Sequence, residues 1–373
     1  MDWTAWRAEF PILARATYLN SCSLGALSLR AQASLSTFQE DWHAQGASAW
    51  YETWIGRLAE LRGRVAALLG AAEPELALAP STSVALAAVA SALDYRRRPK
   101  VVLAELDFPT MAYVWRARPE VEVVLVPSDD DATIDLARWA DTIDGRTAAV
   151  VTSHVFYTTG AIQDLRAIAE LAHAKGALLV ADAYQSAGQV PIDVAELGVD
   201  ALTAGPLKWL LGGPGLAYLY VRGVLADRLR PTIAGWFGTR DQFAFDITRF
   251  EPLPGARRFE MGTPALPTVH TALGGQSIID EIGVPRIRER NRALTERLVA
   301  GALDAGLKVR TAPAPDARSA IVMIADVDPD AAVARLARQG MIVDARPGFV
   351  RVSPHFYNTE DEVDAVVAAL AER

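Results

Sequence analysis

Lys208 is the residue in this chain best placed to do covalent chemistry. It stands between two apolar runs, Ala201–Ala204 and Ala217–Val221, just before the turn Gly212-Gly213-Pro214-Gly215. An ammonium group in a tight apolar neighbourhood needs a partner or stays neutral. A neutral lysine is a nucleophile, commonly used to form a Schiff base with a carbonyl. Taken alone, a lysine before a turn is ordinarily a solvated surface group, so the other residues must decide. Ser81-Thr82-Ser83 opens an Ala-rich helix, where free N–H groups, hydroxyls and the helix dipole can hold an anion. The same three residues also suit a plain N-cap. Asp182 directly follows the apolar run Ala177–Ala181 and is either a turn former or a site residue. His154 and Phe108 also follow strand-like runs and, singly, read as a structural hydrogen-bond former and a packing residue. Arg351, in Val350-Arg351-Val352-Ser353-Pro354, reads on its own as half of a surface salt bridge.

These residues fall at the ends of regularly alternating elements. Apolar runs at Leu76–Ala79, Val101–Ala104, Val121–Val126, Ala148–Thr152, Ala177–Ala181, Ala201–Ala204 and Ala217–Val221 read as strands. Amphipathic stretches between them, such as 109–117 and Asp164–Lys175, read as helices. Strand–helix alternation without tight Asn-Gly hairpins predicts βαβ units and a largely parallel sheet. In such a sheet ligands bind beyond the carboxyl ends of the strands, where Thr82, Phe108, His154 and Asp182 lie. Residues 31–69 read as helix. Residues 230–275, rich in glycine, proline and aromatics, are periodic in nothing and read as site-building loops. A long Arg- and Glu-rich helix starts at Val284, and the remainder suggests a small second domain. The expected organisation is an N-terminal segment (1–30), a large α/β domain (31–283) and a small C-terminal α+β domain (284–373).

Composition sets the outer limits. The 373 residues are 51% hydrophobic and 22% charged, which is globular and long enough for two packed cores. A net charge of −8 leaves no basic footprint for nucleic acid. The single cysteine, Cys22, excludes an intrachain disulfide and a cysteine-rich zinc site, and no metal is expected. With no export pattern at the start and no membrane-length apolar run, a cytoplasmic protein is expected.

The constellation carries more than its members. A phosphate cup, an aromatic platform, a carboxylate after a strand and a lysine together suit pyridoxal 5'-phosphate, whose ring nitrogen needs an anion and whose aldehyde needs an amine. The chain resembles the class V aminotransferase group of fold-type I pyridoxal phosphate enzymes, which includes cysteine desulfurases and kynureninases. The likeness runs from Tyr18-Leu19-Asn20 to Tyr357-Asn358-Thr359-Glu360-Asp361-Glu362-Val363, and Arg257-Arg258-Phe259-Glu260-Met261-Gly262-Thr263-Pro264 is a characteristic motif. The resemblance implies that Lys208 carries the cofactor and Asp182 pairs with its pyridinium. It implies too that Thr82 and Ser83 cup the phosphate and that Gln185 bonds the phenolic oxygen. Thr263 is expected to reach a phosphate in a partner subunit, hence a homodimer, and Arg351 to bind the substrate carboxylate.

Four segments are kynureninase-like: Ser23-Leu24-Gly25, Phe108-Pro109-Thr110, His154-Val155-Phe156-Tyr157-Thr158-Thr159-Gly160, and Lys208-Trp209-Leu210-Leu211-Gly212-Gly213-Pro214-Gly215. By that likeness Phe108 stacks on the cofactor ring and Trp236 lines the site. The chain departs from that branch at Leu207, where kynureninases usually carry a tyrosine, at Cys22 and at Gln185. Asp344-Ala345-Arg346-Pro347-Gly348-Phe349 lacks the cysteine of desulfurases. The leading expectation is an enzyme that takes a small α-amino acid as an external aldimine and acts as a lyase or hydrolase, cleaving Cβ–Cγ or C–S. The alternatives are an aminotransferase and, more remotely, a non-catalytic cofactor-binding or assembly protein.

Overall fold

The computed structural model describes residues 1–372. In chain order the first strands are β1 (Thr17–Tyr18), β2 (Leu76–Ala79), β3 (Lys100–Ala104), β4 (Glu122–Val126), β5 (Thr147–Ser153), β6 (Leu178–Asp182), β7 (Ala201–Ala204) and β8 (Ala217–Val221). After the helices Leu266–Ile282 and Val284–Asp304 come β9 (Val309–Arg310), β10 (Val322–Ala325), β11 (Met341–Ile342), β12 (Asp344–Arg346) and β13 (Phe349–Val352). Seven strands form one sheet in the order β2-β8-β7-β6-β5-β3-β4. Only β8 runs against its neighbours, so the sheet is mostly parallel. This is the α/β architecture that the alternation predicts.

The inner strands are largely apolar because helices cover both faces, and their polar residues fall near the strand ends. β2, β3, β7 and β8 are buried throughout, whereas the edge strand β4 is exposed at Glu122 and Leu125. Register then lines up the strand ends. Ser153 pairs with Asp182 across β5 and β6, and Asp182 with Thr203 across β6 and β7. Three polar side chains therefore sit side by side at the carboxyl edge.

β9, β10, β12 and β13 make a separate four-stranded antiparallel sheet in the order β12-β13-β10-β9. It packs on Val284–Asp304 and the final helix Glu360–Ala371, which Thr359 and Glu362 open with a capping box. The N-terminus joins this part of the chain: β1 pairs in parallel with β11, and Asn20 bridges Ser353.

Two helical expectations are corrected. Residues 31–69 form two helices, Leu29–Gln45 and Ile55–Leu69, broken at Gly46 with φ 56°. The stretch read as loop through 275 holds the start of the helix Leu266–Ile282, of whose 17 residues 12 are buried. A helix buried nearly all round has no polar face, and so no stripe for periodicity to detect. Its glycines misled further. A Cβ on Gly274 would stand 2.5 Å from Cα of Ala31, so glycine is what lets this helix press against Leu29–Gln45.

Candidate active site

The row of strand ends opens into a cavity of about 270 Å³ whose walls include Thr82, Ser83, Phe108, Asp182, Gln185 and Lys208. Six residues expected from the sequence are thus brought together from five separate elements and turns. Leu207, Tyr157 and Tyr184 also line it.

Lys208 follows β7 on a turn held against the N-terminal segment. Gly25 N–H donates to the Leu207 carbonyl at 2.9 Å, and a Cβ on Gly25 would come within 2.2 Å of the Lys208 carbonyl. The Ser23-Leu24-Gly25 motif is therefore a contact with the lysine turn. Lys208 Nζ lies 5.0 Å above the Tyr184 ring, with no hydrogen-bond acceptor among the described residues. Burial pushes its ammonium down to about 8, outweighing Cys22 and Asp182, which favour the proton.

Asp182 ends β6 and is buried. Its Oδ1 accepts from the Tyr184 N–H at 2.8 Å and the Thr203 hydroxyl at 3.4 Å, while Oδ2 has no donor among the described residues. Burial raises its pKa against the pull of the Tyr184 N–H and the charge of Lys208. The carboxylate is short of a cation.

The helix Thr82–Ser91 resolves the two readings of its N-terminus by dividing the work. Ser81 is the N-cap, its hydroxyl accepting from the Val84 N–H at 3.3 Å. Thr82 and Ser83 are left for the cavity. Thr82 Oγ1 is buried with no partner among the described residues, and the Ser83 hydroxyl lies 3.2 Å from that of Thr110. Phe108 precedes the helix Pro109–Arg116 and is 44% exposed, touched edge-on by Tyr157 at 5.1 Å between ring centroids, so a ring face stays free. Asp107 ties this turn down, accepting from the N–H groups of Ala104 and Ser153 at 2.9 and 2.7 Å.

Gln185 is more committed than the sequence implies. Its Oε1 accepts from the Trp209 indole N–H at 2.8 Å, and its Nε2 donates to the Cys22 carbonyl at 3.0 Å. One N–H remains. Cys22 itself is buried among Val155, Val190, Trp209, Ala320 and Ile321.

Arg351 stands one residue behind the cavity wall, on β13. It is fully buried and donates to the carbonyl of Tyr157 at 2.7 Å, to the Ser23 hydroxyl at 2.7 Å, and to Asp344. Asp344 also pairs with Arg346 at 2.8 Å. Burial opposes its charge, but Arg351, the Ser23 hydroxyl and Arg346 outweigh that and hold it below the ordinary carboxylate value. The salt bridge read from the sequence exists, but it is internal rather than on the surface. Only Arg351 Nε lacks an acceptor among the described residues.

Two expected residues lie away from this cavity. Trp236 belongs to an exposed aromatic group with Phe243 and Phe245, around a separate hollow. Thr263 is exposed at the surface. A single chain brings neither to Lys208. His154 follows β5 but points into the interior, where burial lowers its pKa to about 4. Sequence reasoning missed Tyr184, Tyr157 and Asp344 as neighbours of the site. For Tyr184 the signal was available, since it lies two residues beyond a strand-end aspartate.

The cavity fits a ligand carrying an anion at one end, a flat ring in the middle and a carbonyl within reach of an amine. Thr82 Oγ1, the free face of Phe108 and Asp182 Oδ2 are the groups left open for it. No cluster of metal-ligating side chains occurs among the described residues.

Comparison with known proteins gives a consistent picture. The family described as Aminotransferase class-V matches residues 29–366. An uncharacterized aminotransferase of Bacillus subtilis is 36% identical over 99% of this chain and 97% of its own length. A kynureninase of Deinococcus radiodurans is 33% identical over 79% of this chain and 72% of its own. Among solved structures, a C-DES mutant with glycine covalently linked to its PLP cofactor superposes with a TM-score of 0.91 at 22% identity. That match covers 98% of this chain and 99% of the other.

Proposed function

The chain belongs to the class V aminotransferase family of pyridoxal phosphate enzymes, and from that premise we propose that it is a lyase or hydrolase. Its substrate is a small α-amino acid, cleaved at Cβ–Cγ or C–S. The observation that carries the reading is the cavity itself. A lysine with its pKa down at about 8 and a buried, cation-seeking aspartate share one cavity with a free helix N-terminus. Pyridoxal phosphate, when bound, supplies a ring that draws electrons away from the α-carbon of an amino acid.

The protein's own groups do the rest. The N-terminus of Thr82–Ser91, with the Thr82 and Ser83 hydroxyls, binds the phosphate through N–H and O–H donors. The free Phe108 face would pack on the ring and keep water from one side of it. Asp182, negative and unmatched, holds a proton on the ring nitrogen. Lys208 is the covalent attachment point. Its neutral Nζ would also be the base at the substrate Cα, as suits a group poised near the working pH. Arg351 orients the substrate carboxylate through its free Nε side, with Asp344 holding the guanidinium in place. Gln185 would offer its remaining N–H to the phenolic oxygen.

A homodimer belongs to this reading, with Trp236 and Thr263 of each chain serving the cavity of the other. The exposed Trp236, Phe243, Phe245, Ile247 and Phe250 support it, because such an apolar patch is unusual on a monomer's surface. Sedimentation of the purified protein tests this. A species of one chain's mass, fully active, overturns it.

The kynureninase relative supports carbon–carbon cleavage. A second reading, transamination, is supported by the Bacillus subtilis relative described as an aminotransferase. The experiment is a screen of amino acids with product detection. Alanine plus an acid marks hydrolysis, pyruvate with ammonia marks elimination, and amino transfer dependent on a keto acid marks the second reading. Cofactor bound through Lys208 without turnover of any amino acid returns the chain to a binding or assembly role.

A further inference from the structure

Trp209 directly follows Lys208, is completely buried, and spends its indole N–H on a side chain of the cavity wall rather than on the main chain. An indole N–H can only donate, so the atom it meets on Gln185 must be the amide oxygen. The Cys22 carbonyl can only accept, so the atom it meets must be the amide nitrogen. Two unambiguous partners therefore fix the amide in one orientation, and the only hydrogen-bonding capacity left on the nitrogen is an N–H.

Trp209 is itself held. The His355 ring meets the Trp209 indole edge-on at 5.2 Å, and its Nε2 lies 3.2 Å from the Trp209 carbonyl. A carbonyl accepts, so Nε2 carries the proton and Nδ1 is bare, receiving the Asn291 amide at 3.2 Å. Burial lowers the His355 pKa to about 3, so this arrangement does not change over the working pH range. The chain of contacts runs from the helix Val284–Asp304 through His355 and Trp209 to Gln185.

We propose that Trp209 is a positioning residue that locks Gln185 as a donor, so that the ligand atom opposite must be a hydrogen-bond acceptor. The proposal rests on the reading that pyridoxal phosphate binds at Lys208, where the phenolate oxygen of the cofactor is such an acceptor. A donor facing a phenolate stabilises its anionic form, and loss of that donor raises the pH at which the bound cofactor changes colour.

The test is a visible-absorbance pH titration of the cofactor-loaded protein in a double-mutant cycle of Trp209→Phe and Gln185→Leu. Gln185→Leu raises the midpoint by about one pH unit, the amount set by a hydrogen bond to a charged oxygen. Trp209→Phe keeps the ring and raises it by a fraction of that, since the Cys22 carbonyl still holds the nitrogen. The double variant shifts no further than Gln185→Leu alone. An unchanged midpoint in Trp209→Phe, or an equal added shift in the Gln185→Leu background, overturns the proposal. Should Trp209→Phe fail to fold, benzothienylalanine at position 209 preserves the shape with sulfur in place of N–H and carries the same expectation. The cofactor reading fails differently: the wild type then shows no visible band that Lys208→Ala removes.

Discussion

Asp182 at the end of β6 and Asp344 on β12 are both carboxylates beside cations, one in each sheet, yet their surroundings are opposite. Asp344 is over-supplied, with Arg351, Arg346 and the Ser23 hydroxyl all directed at it, and its pKa lies below the ordinary value. Asp182 is under-supplied, with one weak and one good donor on one oxygen, and burial raises its pKa. The cations mirror this. Arg351 is bonded on both terminal nitrogens, whereas Lys208 has only the face of Tyr184 beneath it. The central sheet holds unsatisfied groups around a space, which is what a site awaiting a charged ligand requires. The C-terminal sheet holds an ion cluster, paired except at Arg351 Nε, that stabilises the wall behind the cavity. Deficit marks the ligand; completion marks the support.

That contrast can be broken in five ways, from the largest effect downward. Lys208→Ala lowers turnover of the substrate found in the screen by about 10³-fold, the scale of a lost acid–base group, and abolishes the bound cofactor's visible band. Retained turnover would remove Lys208 from the chemistry.

Asp344→Asn leaves Arg351 buried with its charge uncompensated, and denaturant unfolding of the unloaded protein is expected to show a loss of about 3 kcal/mol. Because the Asp344 pKa is lowered on folding, its contribution is present above the ordinary carboxylate pKa and is lost as pH falls through the folded value. Wild-type stability therefore drops in acid more steeply than that of the variant.

Lys208 in the unloaded protein reacts with a simple aldehyde at a rate that rises about tenfold per pH unit up to about 8 and then levels off. Borohydride trapping followed by mass spectrometry reads it. A rate still climbing at pH 10 would show an unperturbed lysine. The stability linkage has the same sign: below about 8 the fold carries a buried ammonium, and stability rises with pH from there to the ordinary lysine pKa.

Asp182→Asn has the opposite effect on stability to Asp344→Asn. A raised folded pKa means that the ionised carboxylate costs stability at neutral pH, so its removal stabilises the unloaded protein. Equal losses for the two variants in thermal unfolding would erase the distinction between the sheets. Least of all, Tyr184→Leu removes the aromatic face under the ammonium and lowers the Lys208 pKa by about half a unit, read from the same aldehyde titration.

Much of this was legible in the sequence because it is local. Asp182 follows an apolar strand, Thr82 opens a helix and Lys208 precedes a glycine turn, and strand-end position alone sends all three to one edge of a parallel sheet. The helix Leu266–Ile282 was illegible for a physical reason: burial on all sides erases the polar face that periodicity needs. Arg351 and Asp344 were visible as residues, but not as each other's partner, since β12 and β13 meet only through an antiparallel register.

The sequence by itself determined the alternation that makes the sheet, the chemical types available at its carboxyl edge, and the family, because each depends on short-range pattern. The tertiary structure decided which of those residues are left unsatisfied. Ser81 caps while Thr82 does not, Gln185 is spent on Trp209 and Cys22 but for one N–H, and Asp344 is neutralised while Asp182 is not. Hydrogen-bond satisfaction depends on what the fold brings within about 3 Å, and no spacing along a chain encodes that.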